Sequence, residues 1–278
     1  MKKITAAFDG LKFSESTLQY GMDIACNGES LLVGVFLDDF TYHSYKLTDM
    51  VGEKGVSAEK VKLLIEKDTE TRKKAVLTFE DTCTRAEIKH IVHHDKSIAL
   101  QELIKETVYS DLLIIGAKET LTHQDEELPT QFIRDLLAEV QCPVLIVPTA
   151  YQKIESIVLL YDGDPSSVYA AKMLSYMLPE LKSLPTEIVS VKVEQTQNTF
   201  PQEHLINEFI SCHYPEAKFN LLEGMPEKEI IEYLENRQNT LVVLGSYRRS
   251  MVSRWFKPSM ADLIIKRTGL PLFSAHYK

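Results

Sequence analysis

The strongest constraint on the fold is an internal repeat, because the same series of landmarks occurs twice along the chain. A short apolar run closes on Asp-Gly at residues 4–10 and again at 157–163. A second apolar run closes on glycine at Gly116 and at Gly245, and in both halves a hydroxyl residue follows that glycine after 14 positions. Matching order and spacing indicate two structural units of one design.

Within each half, short apolar runs alternate with amphipathic stretches, which predicts parallel strands joined by crossover helices. Runs such as LLII and LVVL are apolar on both faces, as central strands covered by helices on both sides require. We therefore predict an α/β fold with two tandem doubly wound domains, 1–150 and 151–278, each a five-stranded parallel sheet flanked by helices. The predicted strands are 4–8, 31–37, 87–92, 111–115 and 143–147, then 157–161, 186–192, 217–222, 240–244 and 271–275. Helices are predicted in the second half near 167–181, 202–213, 226–236 and 259–267.

The two halves differ in length between their first and fourth strands. Asp9 and Gly116 are 107 positions apart, whereas Asp162 and Gly245 are 83 apart. The surplus falls around 38–84, where an aromatic loop within 38–55 precedes a long stretch with helical spacing. This loop either packs on its own helix or forms a lid over a ligand.

Composition excludes several classes of protein. The chain carries 31 basic and 40 acidic residues, a net charge of −9, which is the wrong sign for broad contact with nucleic acid or anionic lipid. Its four cysteines form no CxxC pair, and no apolar run approaches the roughly 18 residues that span a bilayer. A short apolar start argues against a signal peptide, so we expect a cytoplasmic protein without nucleic-acid or membrane partners.

In an open parallel sheet, ligands bind at the carboxyl ends of the strands where the winding reverses. An aspartate at this place can accept hydrogen bonds from a ribose or a base, and a glycine lets backbone approach a phosphate. The residues that flank this crevice are Asp9, Gly10 and Gly116 in the first half and Asp162, Gly163 and Gly245 in the second.

This arrangement resembles the universal stress protein family in tandem, over nearly the whole chain. The resemblance implies a Rossmann-like fold of the adenine-nucleotide alpha-hydrolase type, and a pattern G-x2-G-x9-G-[ST] in the members that bind nucleotide. The chain keeps the first glycine and the final hydroxyl, Thr130 or Ser259, in each half. The other two glycines are replaced by Glu119 and Pro129 in the first half and by Arg248 and Pro258 in the second. Because proline has no N–H and fixes its own torsion, we predict degenerate nucleotide-binding motifs.

The loops between glycine and hydroxyl differ in charge. The first contains Lys118, Glu119, Asp125, Glu126 and Glu127, and the second contains Arg248, Arg249, Arg254 and Lys257. The acidic loop would repel a phosphate, whereas guanidinium groups pair with one. We therefore expect ATP or AMP, if bound, in the second half. The residues predicted to contact the nucleotide in the second half are Asp162, Gly163, Gly245, Arg248, Arg249 and Ser259. Their degenerate equivalents in the first half are Asp9, Gly10, Gly116 and Thr130. Structural alternatives stay open, since cation runs are often solvated faces and the proline-hydroxyl pairs can simply begin helices.

Three functional hypotheses follow. The first, implied by the resemblance, is a non-catalytic stress-response or regulatory module whose domains pack about a pseudo-twofold axis through 143–147 and 271–275. The second is an adenine-nucleotide binder or slow ATPase that uses the second-half site. The third is an interaction scaffold that uses the basic 248–257 loop, with protein partners or a homo-oligomer. The chain lacks SGGxDS, G-x-S-x-G and G-x4-G-K-[ST] motifs, so we predict neither catalytic residues nor a metal site.

Overall fold

The computed structural model describes residues 1–278 except 29, 39–42, 46–49, 53–54, 57, 96–97, 123–124, 193–198, 246–258 and 277–278. The strands are β1 (Lys3–Asp9), β2 (Leu31–Leu37), β3 (Val51–Gly52), β4 (Gly55–Val56), β5 (His90–Asp95), β6 (Leu112–Gly116), β7 (Val144–Val147), β8 (Ser156–Leu160), β9 (Thr186–Lys192), β10 (Lys218–Glu223), β11 (Thr240–Gly245) and β12 (Leu272–Ala275). The helices are α1 (Glu15–Gly28), α2 (Ala58–Arg85), α3 (Ala99–Val108), α4 (Gln131–Glu139), α5 (Pro165–Met177), α6 (Glu203–His213), α7 (Pro226–Glu235) and α8 (Met260–Arg267), with a 3₁₀ helix at Pro179–Ser183.

The chain divides into two compact units, Met1–Val140 and Gln141–Lys278. In the first unit the strands are ordered β6-β1-β2-β5, and every neighbouring pair is parallel. The central strands β1 and β6 are buried along almost their whole length, as strands covered on both faces must be. The winding reverses between β1 and β6, which places the expected crevice at the carboxyl ends of these two strands.

In the second unit the strands are ordered β10-β9-β8-β11-β12-β7. The first five are parallel to one another, and β7 adds to β12 in the antiparallel direction, with Leu272 opposite Ile146. The predicted α/β fold with parallel, helix-flanked sheets is confirmed. The strand predicted at 87–92 forms three residues later, at His90–Asp95, and the helix predicted at 167–181 ends at Met177. The strand predicted at 143–147 forms as β7 and lies in the second compact unit. There its backbone groups pair with those of β12, which would otherwise be an open edge.

The surplus of the first half folds mainly into the long helix α2. Phe79 of this helix is fully buried, and its ring lies 2.8 Å from the position of a Cβ on Gly34 of β2, so glycine at 34 lets the helix approach the sheet. Of the aromatic loop, residues 40–42 lie outside the described residues. Ser44 is described, and its backbone N–H donates to Asp68 of α2 at 3.0 Å. This part of the loop packs on its own helix.

In the described part of the chain, no helix is long and apolar enough to cross a membrane.

Candidate functional site

The first-unit crevice begins at Asp9, the last residue of β1. Its side chain is buried, and Oδ1 accepts hydrogen bonds from the backbone N–H groups of Leu11 at 2.8 Å and Lys12 at 3.3 Å. The aspartate therefore closes the turn that leads from β1 towards α1. A carboxylate in this role stabilises the loop, since an Asp side chain readily bonds the backbone two residues ahead.

The Glu119 side chain fills the space between Asp9 and Gly116. Glu119 is only 7% exposed, and its Oε1 lies 3.2 Å from the position of a Cβ on Gly116. The remaining void, lined by Asp9, Glu119, Leu121 and Phe132 among others, has no room for a water molecule. Glu119 thus occupies the position where the sequence predicted a degenerate nucleotide site.

The carboxyl groups of Asp9 and Glu119 thus lie near each other in a buried site. Burial raises the pKa of Glu119 well above its usual range, and the neighbouring charge of Asp9 raises it further, while Lys12 opposes the shift. Like charges in low dielectric disfavour double ionisation, so the arrangement favours a proton on Glu119. A protonated Glu119 makes the crevice less negative.

Thr130 begins α4 as its N-cap. Its Oγ1 accepts from the backbone N–H of Ile133 at 3.3 Å and donates to the carbonyl of Glu119 at 2.5 Å. The predicted hydroxyl is therefore used twice by the protein itself, once to cap the helix and once to hold the backbone of the crevice-filling residue.

The equivalent aspartate of the second unit has different surroundings. Asp162 follows β8 and is exposed, and its Oδ1 accepts from the backbone N–H of Asp164 at 3.0 Å. Gly163 adopts φ of +86°, which favours glycine, and a Cβ there would lie 2.7 Å from Cβ of Pro201. Asp162 thus stands at the predicted crevice with its side chain accessible to solvent.

Gly245, at the end of β11, has a packing role. A Cβ on it would lie 2.3 Å from the carbonyl carbon of Ser166 and 2.5 Å from the backbone nitrogen of Ser167. These atoms belong to the first turn of α5, so the helix packs directly on the glycine. The absence of a side chain at 245 is explained by this contact without a ligand.

Ser259 caps α8. Its Oγ accepts from the backbone N–H of Asp262 at 3.1 Å, and the Asp262 carboxylate accepts from the backbone N–H of Ser259 at 3.0 Å. This reciprocal pair is a capping box with aspartate at its third position. Arg248 and Arg249 lie outside the described residues, so their predicted place at this site stays a prediction.

The structure brings Asp9, Gly10, Gly116 and Thr130 to one end of the first sheet, and it brings Asp162, Gly163 and Gly245 to the equivalent end of the second. Sequence reasoning treated Glu119 as one of several loop acids and missed that it enters the crevice. The available signal was its position, since it replaces a glycine only three residues after Gly116. Among the described residues, no group of three or more His, Cys, Asp or Glu side chains could hold a metal ion.

Comparison with known proteins gives a consistent result. No protein-family model matches the chain. Its sequence is 23% identical to a universal stress protein of Synechocystis sp. PCC 6803, with 99% of each chain covered. Its fold is similar to a universal stress protein from Archaeoglobus fulgidus DSM 4304, with a TM-score of 0.70, 16% identity, and 99% of this chain and 98% of that chain covered. A functionally unknown protein from Pseudomonas aeruginosa PAO1 has a TM-score of 0.62 at 13% identity, with 99% and 92% covered.

Proposed function

Since the chain resembles universal stress proteins along its whole length, in sequence and in fold, we propose that it is a tandem regulatory module of the stress response that acts by binding and not by catalysis. The fold alone does not decide function, which depends on the residues at the site. The proposal therefore depends on what the two crevices contain.

One observation carries the proposal, namely the filling of the first-unit crevice by Glu119. Asp9, Gly116 and Thr130 retain the positions of a nucleotide site, and their contacts with Leu11, Glu119 and the Glu119 carbonyl support a first crevice without a phosphate cradle. A unit whose crevice is closed in this way supports a structural or regulatory role for the first half.

A second candidate function is binding of ATP or AMP in the second unit. The observation that favours it is the exposure of Asp162, in contrast to Asp9, which is 1% exposed. In this candidate site Asp162 would bind the ribose or base, and Arg248, Arg249 and Ser259 would hold the phosphates. The packing of Gly245 on Ser166 and the capping role of Ser259 oppose it.

The pairing of the halves through 143–147 and 271–275 belongs to the same proposal. It is supported by the antiparallel pairing of β7 with β12, which joins equivalent strands of the two repeats. Further protein partners, or a homo-oligomer, would then bind surfaces that remain free. Light scattering of the purified chain, with and without added nucleotide, measures whether it assembles further.

Calorimetric titration of the full chain with ATP, ADP and AMP, with and without Mg²⁺, tests both functions. We expect at most one nucleotide per chain, abolished by Asp162→Asn and unaffected by Glu126→Gln, an exposed acid of the first-half loop. Two nucleotides per chain would contradict the closed first crevice. Unchanged affinity in Asp162→Asn would remove the second-unit site, and nucleotide turnover that this variant abolishes would contradict the non-catalytic role.

A further inference from the structure

The first unit contains a cavity of about 720 Å³ at the carboxyl ends of β2 and β5. One wall is a face of α2, and residues of the two strands form the floor. Its volume falls within the range of about 300–1,000 Å³ that small-molecule sites occupy. The cavity is built largely by the surplus segment of the first half, so the second repeat offers no sequence counterpart.

This cavity is separate from the crevice that Glu119 fills. Arg72 of α2 forms an ion pair with Asp38, just after β2, and both side chains pack on Gly10. Arg72 Cγ lies 3.2 Å from the position of a Cβ on Gly10, and Asp38 Oδ1 lies 3.3 Å from it. The ion pair therefore separates the turn after β1 from the cavity.

The floor of the cavity is aromatic. Phe36 stacks on Phe8 with ring centroids 5.2 Å apart and an interplanar angle of 21°, and His94 lies 6.1 Å from Phe36 at 32°. His94 and Phe36 line the cavity, so this series of rings ends at its floor. Phe36 is only 1% exposed and His94 is exposed, so a planar ring placed there would lie against the His94 ring, in the offset or tilted contact that aromatic groups prefer.

Part of the α2 wall is apolar. Ile65 and Leu77 line the cavity together with Val76, and the first two are each 46% exposed. Apolar side chains that remain accessible along a concave wall are typical of a site that covers a ligand with an apolar body.

The charges of the lining exclude one class of ligand. Among the described residues, three acids, Asp38, Asp68 and Glu80, line the cavity against two bases, Arg72 and Lys73. Arg72 is paired with Asp38, so one formal negative charge remains when the lining histidines are counted as neutral. An anionic ligand would be repelled, whereas a neutral or positively charged one would not.

We propose that this cavity binds a planar aromatic small molecule that is neutral or cationic. The exposed His94 ring offers a face to a flat ring, the apolar part of the α2 wall covers its apolar body, and the acidic surplus disfavours an anionic group. This site is independent of the proposed nucleotide function, because it shares neither Asp162 nor the crevice of the first unit.

Two fluorescent probes with the same ring system test the proposal on the full chain. N-phenyl-1-naphthylamine is neutral, and 8-anilino-1-naphthalenesulfonate adds an anionic sulfonate. We expect saturable binding of one neutral probe per chain, and at least about tenfold weaker binding of the sulfonate, equivalent to about 1.4 kcal/mol.

Paired variants on α2 locate the site. Thr69 and Thr71 are both exposed, and each hydroxyl donates to the carbonyl four residues earlier, at 2.8 and 2.9 Å, but only Thr69 lines the cavity. We expect Thr69→Phe to weaken binding of the neutral probe at least about tenfold by occupying the cavity, and Thr71→Phe to leave it unchanged.

A second pair of variants tests the same site in case Thr69→Phe does not fold. Leu77→Gln removes an apolar group from the cavity wall, and Leu63→Gln changes an exposed leucine of the same helix that does not line it. Only Leu77→Gln should weaken binding. Equal affinity for both probes, absence of saturable binding, or equal effects of cavity and control variants in proteins with native circular dichroism would overturn the proposal.

Discussion

The backbone of Ser166 lies so close to Gly245 that a Cβ on the glycine would stand 2.3 Å from the serine carbonyl carbon. The equivalent glycine of the first unit, Gly116, meets only side chains, the nearest being Glu119 at 3.2 Å. The two equivalent glycines of the repeat thus have different packing neighbours. Gly245 makes room for the first turn of α5, and Gly116 makes room for the carboxyl group of Glu119.

Alanine at the two glycines should separate these reasons. Gly245→Ala forces backbone to move and is expected to destabilise the chain by about 1–3 kcal/mol, as overpacking in a core does. Gly116→Ala meets side chains that can rotate, so we expect a loss below about 1 kcal/mol. Urea unfolding of both variants measures the difference. Equal losses would contradict the close approach of α5 to β11.

Glu119 should make stability depend on pH. In the folded state its pKa is raised, by burial first and by Asp9 second. In the unfolded chain the pKa of a glutamate is about 4.3. The folded state therefore holds the proton more tightly, so the stabilisation is complete below the unfolded pKa and is lost as pH rises through the folded one. Glu119→Gln has no carboxyl to ionise, so it does not lose this stability at higher pH. The melting temperature of the variant minus that of the wild type should therefore increase from pH 5 to pH 8. Glu70→Gln, at an exposed position, is the control, and parallel profiles for wild type and Glu119→Gln would refute the effect.

Glu106 should give the opposite slope. Burial raises the pKa of its carboxyl, but hydrogen bonds and charge from His93, at 2.7 Å, and Lys3, at 3.1 Å, outweigh burial and lower it. Its stabilisation is present above the unfolded pKa and is lost as pH falls through the lowered folded value. Glu106→Gln should destabilise the protein at pH 7, and the difference from wild type should shrink below about pH 4. A difference that is constant with pH in urea titrations would contradict the ion pair.

The two capping hydroxyls should differ in their contribution. Ser259→Ala removes one cap and should reduce stability by about 1 kcal/mol. Thr130→Ala removes a cap and also the hydrogen bond to the Glu119 carbonyl, so we expect a loss of about 2 kcal/mol. Ser259→Thr and Thr130→Ser keep the hydroxyls and should restore most of the loss in thermal unfolding. Failure of these conservative variants to restore it would assign the effect to packing instead of capping.

Much of the fold follows from local pattern. The strand predicted at 186–192 is β9 without any shift, and the helix predicted at 226–236 is α7 within one residue. Apolar runs and turn residues decide such elements within a few positions of chain. The helical spacing after residue 56 likewise becomes α2, although its cavity depends on which strands it covers.

The parts that sequence did not predict depend on distant contacts. Nothing local to 143–147 specifies its pairing with β12, so the expected interface through 143–147 and 271–275 rests on the family resemblance alone. The sequence predicts Glu119 only as one of several loop acids, because its burial beside Asp9, which raises the pKa of its carboxyl, depends on tertiary packing. The predicted roles of Arg248 and Arg249 remain predictions for the titration experiment.

The pairing of β7 with β12 means that the sequence repeat and the compact unit are different pieces of chain. A fragment cut at the repeat boundary, 150/151, would expose the β12 edge and favour its pairing with another copy. A fragment that begins at Gln141 carries β7 and covers that edge. Truncation, circular permutation and shuffling of the two halves should therefore keep β7 together with β12, because one repeat contributes a strand to the other.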